Sequence, residues 1–169
     1  DADDVALPNR LALQLAVLEQ TGADICGGGV EFFGTSDRRI IKHPIGDNEI
    51  KAALYFGSAF AHPTVVMKTE LIRQLRYDQQ WEKCEDYDLW QRAVYAGWKM
   101  ANVPEVILRY RQHEAQISTA AWGIQQDLTH KLRRRHWLKG STEMGIKTEW
   151  IDELMKLREP SPIGVNLNF

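Results

Sequence analysis

Residues 84–92 read Cys-Glu-Asp-Tyr-Asp-Leu-Trp-Gln-Arg, and this stretch decides how the rest of the chain is interpreted. Its apolar residues continue at helical spacing through Leu89, Trp90, Ala93 and Val94. Gly97 follows as a stop, so the pattern predicts a helix over residues 85–96. Glu85 and Asp86 open that helix, where the N-terminal dipole stabilises their charged forms and favours an ionised carboxylate. Taken alone, the pair fits ordinary first-turn acids better than a functional site.

Helical and extended segments alternate on both sides of this stretch. Upstream, the patterns predict a helix that Pro8 opens and Gly22 ends, strands over 23–33 and 39–42, a brief helix capped by Asp47, a buried strand over 62–67 and a helix capped by Thr69. Downstream, they predict two short strands separated by Pro104, then helices from about Ala120 and near 149–157. The alternation predicts an α/β fold with a mixed sheet and a helical C-terminal tail.

Composition limits the function classes. The chain has 169 residues, with 21 Lys and Arg against 23 Asp and Glu and a formal net charge of −2. That balance argues against a nucleic-acid binder, which needs a clearly basic domain. No apolar run approaches the ~20 residues that span a bilayer. Cys26 and Cys84 lack metal-type spacing, so they indicate thiols of a reducing compartment and predict a cytoplasmic protein.

The chain begins with an acid cluster, Asp1, Asp3 and Asp4, just before Pro8. Asp3 or Asp4 would accept hydrogen bonds from the first backbone N–H groups of the Pro8 helix and so cap it. The same acids on a tight turn would also form a hard-oxygen site for a divalent cation that holds phosphate oxygens. The acids alone favour the cap and leave the cation site open.

The order of the motifs carries more information than any one of them. It runs from DADD at 1–4 and a Pro-started helix, through AHPTVVM at 61–67, to EDYDLW at 85–90 and ANVPEVILRYRQH at 101–113. This set resembles the family 2 glycosyltransferases of the GT-A fold from Asp1 to about Ser118. The resemblance implies a domain over 1–118 that corresponds to the C-terminal, acceptor-side part of a GT-A domain, and a helical extension over 119–169. It places the nucleotide-binding strands upstream of Asp1, so donor binding by this chain alone is not expected.

The resemblance also implies a metal and donor site. Asp1-Ala2-Asp3 matches the D-x-D motif, whose carboxylates hold a Mn²⁺ or Mg²⁺ ion on the diphosphate of a nucleotide-sugar donor. His113 matches a His that completes the metal site or contacts the diphosphate. Arg111 stands where it would meet phosphate oxygens, although an exposed strand-end Arg is an equally good interpretation.

On the acceptor side, Asp86 matches the general base of the Glu-Asp pair, with Glu85 beside it. Direct displacement with this base would invert the anomeric centre of the transferred sugar. His62 matches a position lining the cleft between donor and acceptor, and Trp81 is the best candidate for stacking on an acceptor sugar. Trp90 is predicted to be core. The family usually has a pair of small residues before the Tyr-Asp of the preceding loop, whereas Leu75 and Arg76 stand here.

The implied partners are a nucleotide-sugar donor and a saccharide or lipid-linked acceptor. A different class of function stays open: a non-catalytic module that binds a glycan or a protein. The basic stretch Lys131–Arg135 fits a solvated helix face, or a peripheral contact with anionic lipid at the inner face of the cell membrane. A sheet lacking its nucleotide-side strands exposes an edge, which predicts a homodimer or poor solubility.

Overall fold

The computed structural model describes residues 3–35, 38–112, 119–145 and 147–156. Their strands are β1 (Val5–Ala6), β2 (Ile25–Phe33), β3 (Ile40–Ile41), β4 (Val66–Met67) and β5 (Met100–Arg111). The long strands β2 and β5 run parallel at the centre of one sheet. β1 joins β5, and both β3 and β4 join β2, all three antiparallel. The mixed sheet expected from the sequence is confirmed.

Helices cover both faces of this sheet. They are α1 (Arg10–Thr21), α2 (Asp47–Ala53), α3 (Thr69–Leu75), α4 (Glu85–Tyr95), α5 (Thr119–Met144) and α6 (Glu149–Lys156), with 3₁₀ turns at His62–Thr64 and Gln79–Trp81. Because side chains alternate along a strand, Cys26 of β2 joins the cluster under α1 while Ile25 joins the core that contains α4. α4 is therefore held on one face of the sheet, with its first turn near the end of α2 and the loop that follows α3.

β5 is one continuous strand, so the prediction of two strands separated by Pro104 is wrong. Gly28 pairs with Val103 and Gly29 pairs with Val106, which leaves Pro104 and Glu105 in a bulge. The bulge removes the need for a backbone N–H at Pro104, which is how a strand tolerates proline. Gly28 is required at this point, because a Cβ there would lie 2.6 Å from side-chain carbons of Ile107 and Val103.

The helix caps expected from the sequence are also wrong. α1 begins at Arg10 after Asn9, without a side-chain cap, and Asp4 Oδ1 instead accepts the backbone N–H of Arg111 at 3.0 Å. In α2 the capping residue is Gly46, whose N–H donates to Glu49, while Asp47 Oδ1 accepts the N–H of Met100. α3 begins at Thr69 itself, with Lys68 before it and no side-chain cap.

The buried strand predicted over 62–67 is largely a 3₁₀ turn, with only Val66–Met67 in the sheet. The hydroxyl of Thr64 donates to the carbonyl of Ala61 at 2.6 Å and accepts the N–H of Gly28 at 3.1 Å. Thr64 is fully buried, so these bonds satisfy the turn internally and tie it to β2. The turn leaves His62 beside the first turn of α4.

The C-terminal helices pack on the sheet domain. Leu132 of α5 is fully buried in the main core, and Trp137 Nε1 donates to the carbonyl of Tyr55 at 2.9 Å. Ile151 and Met155 of α6 are buried as well. In the part of the chain that the structure describes, no helix combines the length and apolarity needed to cross a membrane.

The basic stretch Lys131–Arg135 is not one uniformly solvated face. Arg134 forms an exposed salt bridge with Asp152 of α6 at 2.9 Å, and Arg135 forms one with the buried Asp88 of α4 at 2.7 Å. Leu132 of the same stretch is fully buried in the main core. Two of the four cations in the stretch are therefore neutralised by carboxylates of this chain.

Candidate active site

The first turn of α4 carries the two acids that the sequence analysis singled out. Asp86 Oδ1 accepts the N–H of Tyr87 at 2.7 Å. The buried hydroxyl of Tyr87 donates to the carbonyl of Leu54 at 2.6 Å, which fixes the start of α4 against the end of α2. Trp90 is fully buried, as predicted for a core residue. The helix start is thus a rigid support for Asp86.

Burial is the largest influence on Asp86, and it raises the pKa of this carboxyl above its usual value. The charge of His62 and the N–H of Tyr87 lower the pKa, while the neighbouring Glu85 raises it. The position of Asp86 at a helix start predicts a readily ionised base, but burial has the larger effect on its pKa. A carboxylate with a raised pKa is a stronger base once it has lost its proton.

His62 and Tyr77 stand beside this acid pair. His62 Nε2 lies 3.1 Å from the Tyr77 hydroxyl, and the two rings have centroids 5.9 Å apart. The imidazole also meets the ring of Trp90 edge-on at 6.1 Å. Burial raises the pKa of Tyr77, and the charges of Asp86 and Glu85 raise it further. The structure therefore places His62 close enough for its charge to act on Asp86. That His62 lines the cleft between donor and acceptor stays a prediction.

Tyr77 is the residue that sequence reasoning missed. The sequence contains a signal for it, because Leu75 and Arg76 replace the pair of small residues usual before this Tyr-Asp. The backbone explains the preference: Arg76 has φ 52° and ψ 164°. That region is populated almost only by glycine, and another residue there costs on the order of 1–3 kcal/mol.

A guanidinium clamp holds the strained residue in place. Arg92 of α4 donates to the carbonyls of Leu75 and Arg76, each at 2.7 Å. The same guanidinium donates to Asp88 Oδ2 at 2.7 Å, and Asp88 is fully buried. Because a buried carboxylate needs such partners, Asp88 fixes Arg92, and Arg92 fixes the turn before Tyr77.

Trp81 lies under α5. Arg135 stacks on its indole with 5.1 Å between the guanidinium carbon and the ring centroid, and also donates to Asp88 and to Gln91. The indole packs against the main core, so it is partly buried. The sequence predicted Trp81 as an acceptor-stacking residue; the structure puts a cation against its ring, and stacking on a sugar stays a prediction.

Among the described residues, four buried polar atoms on α4 and on the loop before it have no hydrogen-bond partner: Trp81 Nε1, Glu85 Oε2, Trp90 Nε1 and Gln91 Nε2. A buried acceptor or donor without a partner costs about 1–3 kcal/mol, so native proteins keep few of them. Glu85 follows Cys84 at the helix start, and Trp90 touches His62.

The acid turn forms a second group of residues. The backbone N–H of Arg111 donates a hydrogen bond to Asp4 Oδ1. The side-chain Nε of Arg111 donates another to the carbonyl of Asp3 at 3.2 Å. Its guanidinium lies 4.5 Å from the centroid of the Phe33 ring. The structure thus joins Asp3 and Arg111, two residues predicted for the donor side.

Asp1 and His113, the other predicted metal ligands, lie outside the described residues. Within the described ranges no three His, Cys, Asp or Glu side chains come together as a metal site. Asp3 and Asp4 supply oxygen donors of the type that Mg²⁺ and Mn²⁺ prefer, but they do not complete a site by themselves.

Comparison with known proteins gives sequence relatives of one kind. No protein-family model matches the chain. It is 31% identical over 137 residues to the O-antigen biosynthesis glycosyltransferase WbnJ of Escherichia coli, covering 79% of the chain and 54% of WbnJ. It is 28% identical over 113 residues to the amylovoran biosynthesis glycosyltransferase AmsE of Erwinia amylovora, covering 66% of the chain and 42% of AmsE. The chain spans about half the length of these curated relatives.

A solved structure supports the same assignment at the level of fold. S. aureus TarS 1–349, crystallised in complex with UDP-GlcNAc, matches with a TM-score of 0.54 over 92% of the chain and 45% of the TarS chain. The sequence identity is 13%, so the likeness is one of fold. The matched fold is the α/β GT-A fold that the order of the motifs implied. Relatives and fold together identify the chain as a family 2 glycosyltransferase relative with the GT-A fold.

Proposed function

We propose that the protein is an inverting glycosyltransferase that moves a sugar from a nucleotide donor to a hydroxyl of a saccharide or lipid-linked acceptor. Asp86 is the general base, and Glu85 shares the acceptor side of the cleft with it. The observation that carries the proposal is the half-buried Asp86 carboxyl group, held at the start of α4 near His62 and Tyr77. Burial raises its pKa, which suits a carboxylate that accepts a proton during the reaction.

The proposed step balances with one proton transfer. The acceptor oxygen attacks the anomeric carbon of the donor sugar, and its proton passes to Asp86 as the new C–O bond forms. The bond between that carbon and the diphosphate oxygen breaks, and its electron pair leaves with the nucleoside diphosphate. Attack from the face opposite the diphosphate inverts the anomeric centre.

The donor side of the proposal uses Asp1, Asp3 and His113 as ligands of a Mn²⁺ or Mg²⁺ ion, with Arg111 beside the diphosphate. Such an ion, when bound, neutralises charge on the leaving diphosphate. The support for this part is the acid turn, where Arg111 contacts the backbone of Asp3. Its test is to measure the affinity of the wild type and of Asp3→Asn for Mn²⁺ by electron paramagnetic resonance. An unchanged affinity in the variant would remove Asp3 from the site.

The acceptor class is inferred from the relatives. Their names assign WbnJ to O-antigen biosynthesis and AmsE to amylovoran biosynthesis. Both products are polysaccharides, so the proposed acceptor is a growing polysaccharide or its lipid-linked precursor.

The experiment uses the full-length protein with Mn²⁺ and a panel of UDP-, GDP- and TDP-sugars, and measures release of the nucleotide. Loss of a general base costs about 10²–10⁴-fold, so Asp86→Asn should reduce release from the preferred donor by that factor. Asp127→Asn is the matched control, because Asp127 is an exposed carboxylate of α5. Its rate should equal that of the wild type.

Two results would count against the proposal. If Asp86→Asn keeps more than a tenth of the wild-type rate, Asp86 is not the base. If no donor releases nucleotide even with p-nitrophenyl glycosides added as acceptors, the binding-module alternative gains. In that case glycan binding should survive Asp86→Asn.

A further inference from the structure

The strained turn before Tyr77 is held by more interactions than a surface loop needs. Arg76 adopts a backbone conformation that only glycine adopts easily, with φ 52°. The guanidinium of Arg92 nevertheless donates hydrogen bonds to the carbonyls of Leu75 and Arg76, and a third to Asp88. Backbone strain of this kind persists only where the surroundings over-determine it, and it gathers at ligand sites.

The result of the strain is the position of one side chain. Tyr77 follows Arg76 directly, and its hydroxyl meets His62 Nε2 at 3.1 Å. The residue remains 43% exposed although its ring contacts the imidazole. A tyrosine in that position offers a ligand both an aromatic face and a hydroxyl, the two groups with which proteins bind sugars.

A neighbouring polar atom points to a ligand independently of the backbone. Glu85 Oε2 is buried without a hydrogen-bond partner among the described residues. The charge of Glu85 acts on Tyr77, so the two side chains lie near each other. A hydroxyl group of a ligand beside Tyr77 could donate a hydrogen bond to this oxygen.

We propose that Tyr77 is a specificity-determining residue of the acceptor site, presented to the acceptor sugar by the Arg76 turn and the Arg92 clamp. The inference rests on the proposed function and names the acceptor-binding group that the sequence did not indicate. Tyr77 contacts the sugar, whereas Arg92 is a positioning residue that acts through the turn.

The test is transfer by the full-length protein to a panel of p-nitrophenyl glycosides, with KM and kcat measured separately for donor and acceptor. Tyr77→Phe removes one hydroxyl, so KM for the glycoside should rise about tenfold, with a smaller change in KM for the donor. Arg92→Lys keeps a positive charge beside Asp88 but cannot hold both carbonyls, so it should also raise the glycoside KM. Tyr95→Phe is the matched control. Tyr95 is the last residue of α4, far from its first turn, and its hydroxyl contacts His136 of α5.

An unchanged glycoside KM in Tyr77→Phe, or an equal rise in Tyr95→Phe, would overturn the inference. If the wild type releases no nucleotide from any donor, the proposed function fails, and binding then decides the inference separately. Saturation-transfer NMR of the same glycosides should give a weaker signal with Tyr77→Phe than with wild type. Equal signals would exclude Tyr77 from the sugar site.

Discussion

Arg135 Nη2 of α5 donates to Asp88 Oδ1 at 2.7 Å, two residues beyond Asp86 along α4. Asp88 is fully buried, and its other oxygen accepts from Arg92, the residue that holds the turn before Tyr77. One carboxylate therefore connects the C-terminal helix to both sides of the candidate active site. The helical tail is part of the site's support, although none of its residues was assigned a chemical role.

The Arg135–Asp88 pair should contribute measurably to stability. Arg135→Gln removes a charged hydrogen bond from a buried carboxylate that keeps only Arg92, so the free energy of unfolding should fall by about 2 kcal/mol. Urea denaturation measures this change. Arg134→Gln is the matched control, because the Arg134–Asp152 pair is exposed and screened by water, so its loss should change the free energy of unfolding much less. Equal losses in the two variants would contradict the assigned role of Asp88.

The ionised Asp86 should lower the free energy of unfolding at neutral pH. Its folded-state pKa is raised, so the folded protein binds the proton more tightly than the unfolded chain does. Stability is then greatest below the unfolded pKa and is lost as the pH rises through the folded pKa. Asp86→Asn removes the partly desolvated charge, and its amide oxygen can still accept a hydrogen bond from the Tyr87 N–H.

The variant should therefore unfold at a higher temperature than wild type at pH 7, with a smaller difference at pH 4. Thermal unfolding followed by circular dichroism at the two pH values measures this. Asp127→Asn should show neither effect, since Asp127 is exposed on α5. A variant less stable than the wild type at pH 7 would mean that the charge of Asp86 is favourable in the fold.

Sequence patterns predicted much of this molecule. The helix over 85–96, the Gly22 stop and the mixed sheet followed from apolar periodicity and glycine placement, which depend on near neighbours. The errors involved distant partners. Asp4 could cap a helix or accept the N–H of Arg111, and the residue pattern does not tell which donor tertiary folding brings closer. Pro104 predicts a break in the strand, because the bulge that accommodates it depends on the register with β2 and is not visible in the residue pattern.

The site divides in the same way. Motifs predict Asp86 and His62 as site residues, and the structure places them close enough for the charge of His62 to act on Asp86. Tyr77 was missed because its position depends on a backbone conformation at Arg76 and on a clamp from Arg92, sixteen residues away. The shift in the pKa of Asp86 could not be foreseen either, because it depends on burial rather than on neighbours in the chain.

His62 should set the pH range of activity. Its charge lowers the pKa of Asp86, so His62→Gln should raise that pKa further. The base would then stay protonated up to a higher pH, and the acid limb of the profile of kcat/KM against pH should move upward. His130→Gln is the control, because His130 is exposed on α5. Movement of the acid limb to lower pH would contradict the electrostatic contact.

Arg76→Gly should stabilise the protein, which is unusual for a substitution by glycine. Glycine adopts φ 52° and ψ 164° without the steric conflict that Arg76 experiences, and that conflict costs about 1–3 kcal/mol. Glycine also makes the unfolded chain more flexible, which offsets up to about 1 kcal/mol. The net gain should be about 1 kcal/mol in the free energy of unfolding, measured by urea denaturation.

Gln74→Gly provides the comparison two positions earlier. Gln74 is an exposed residue inside α3, where glycine costs about 1 kcal/mol relative to a good helix former. The two glycine variants should therefore change the free energy of unfolding in opposite directions. If both variants lower the free energy of unfolding by a similar amount, the backbone of Arg76 is not strained. The turn before Tyr77 would then store no strain energy.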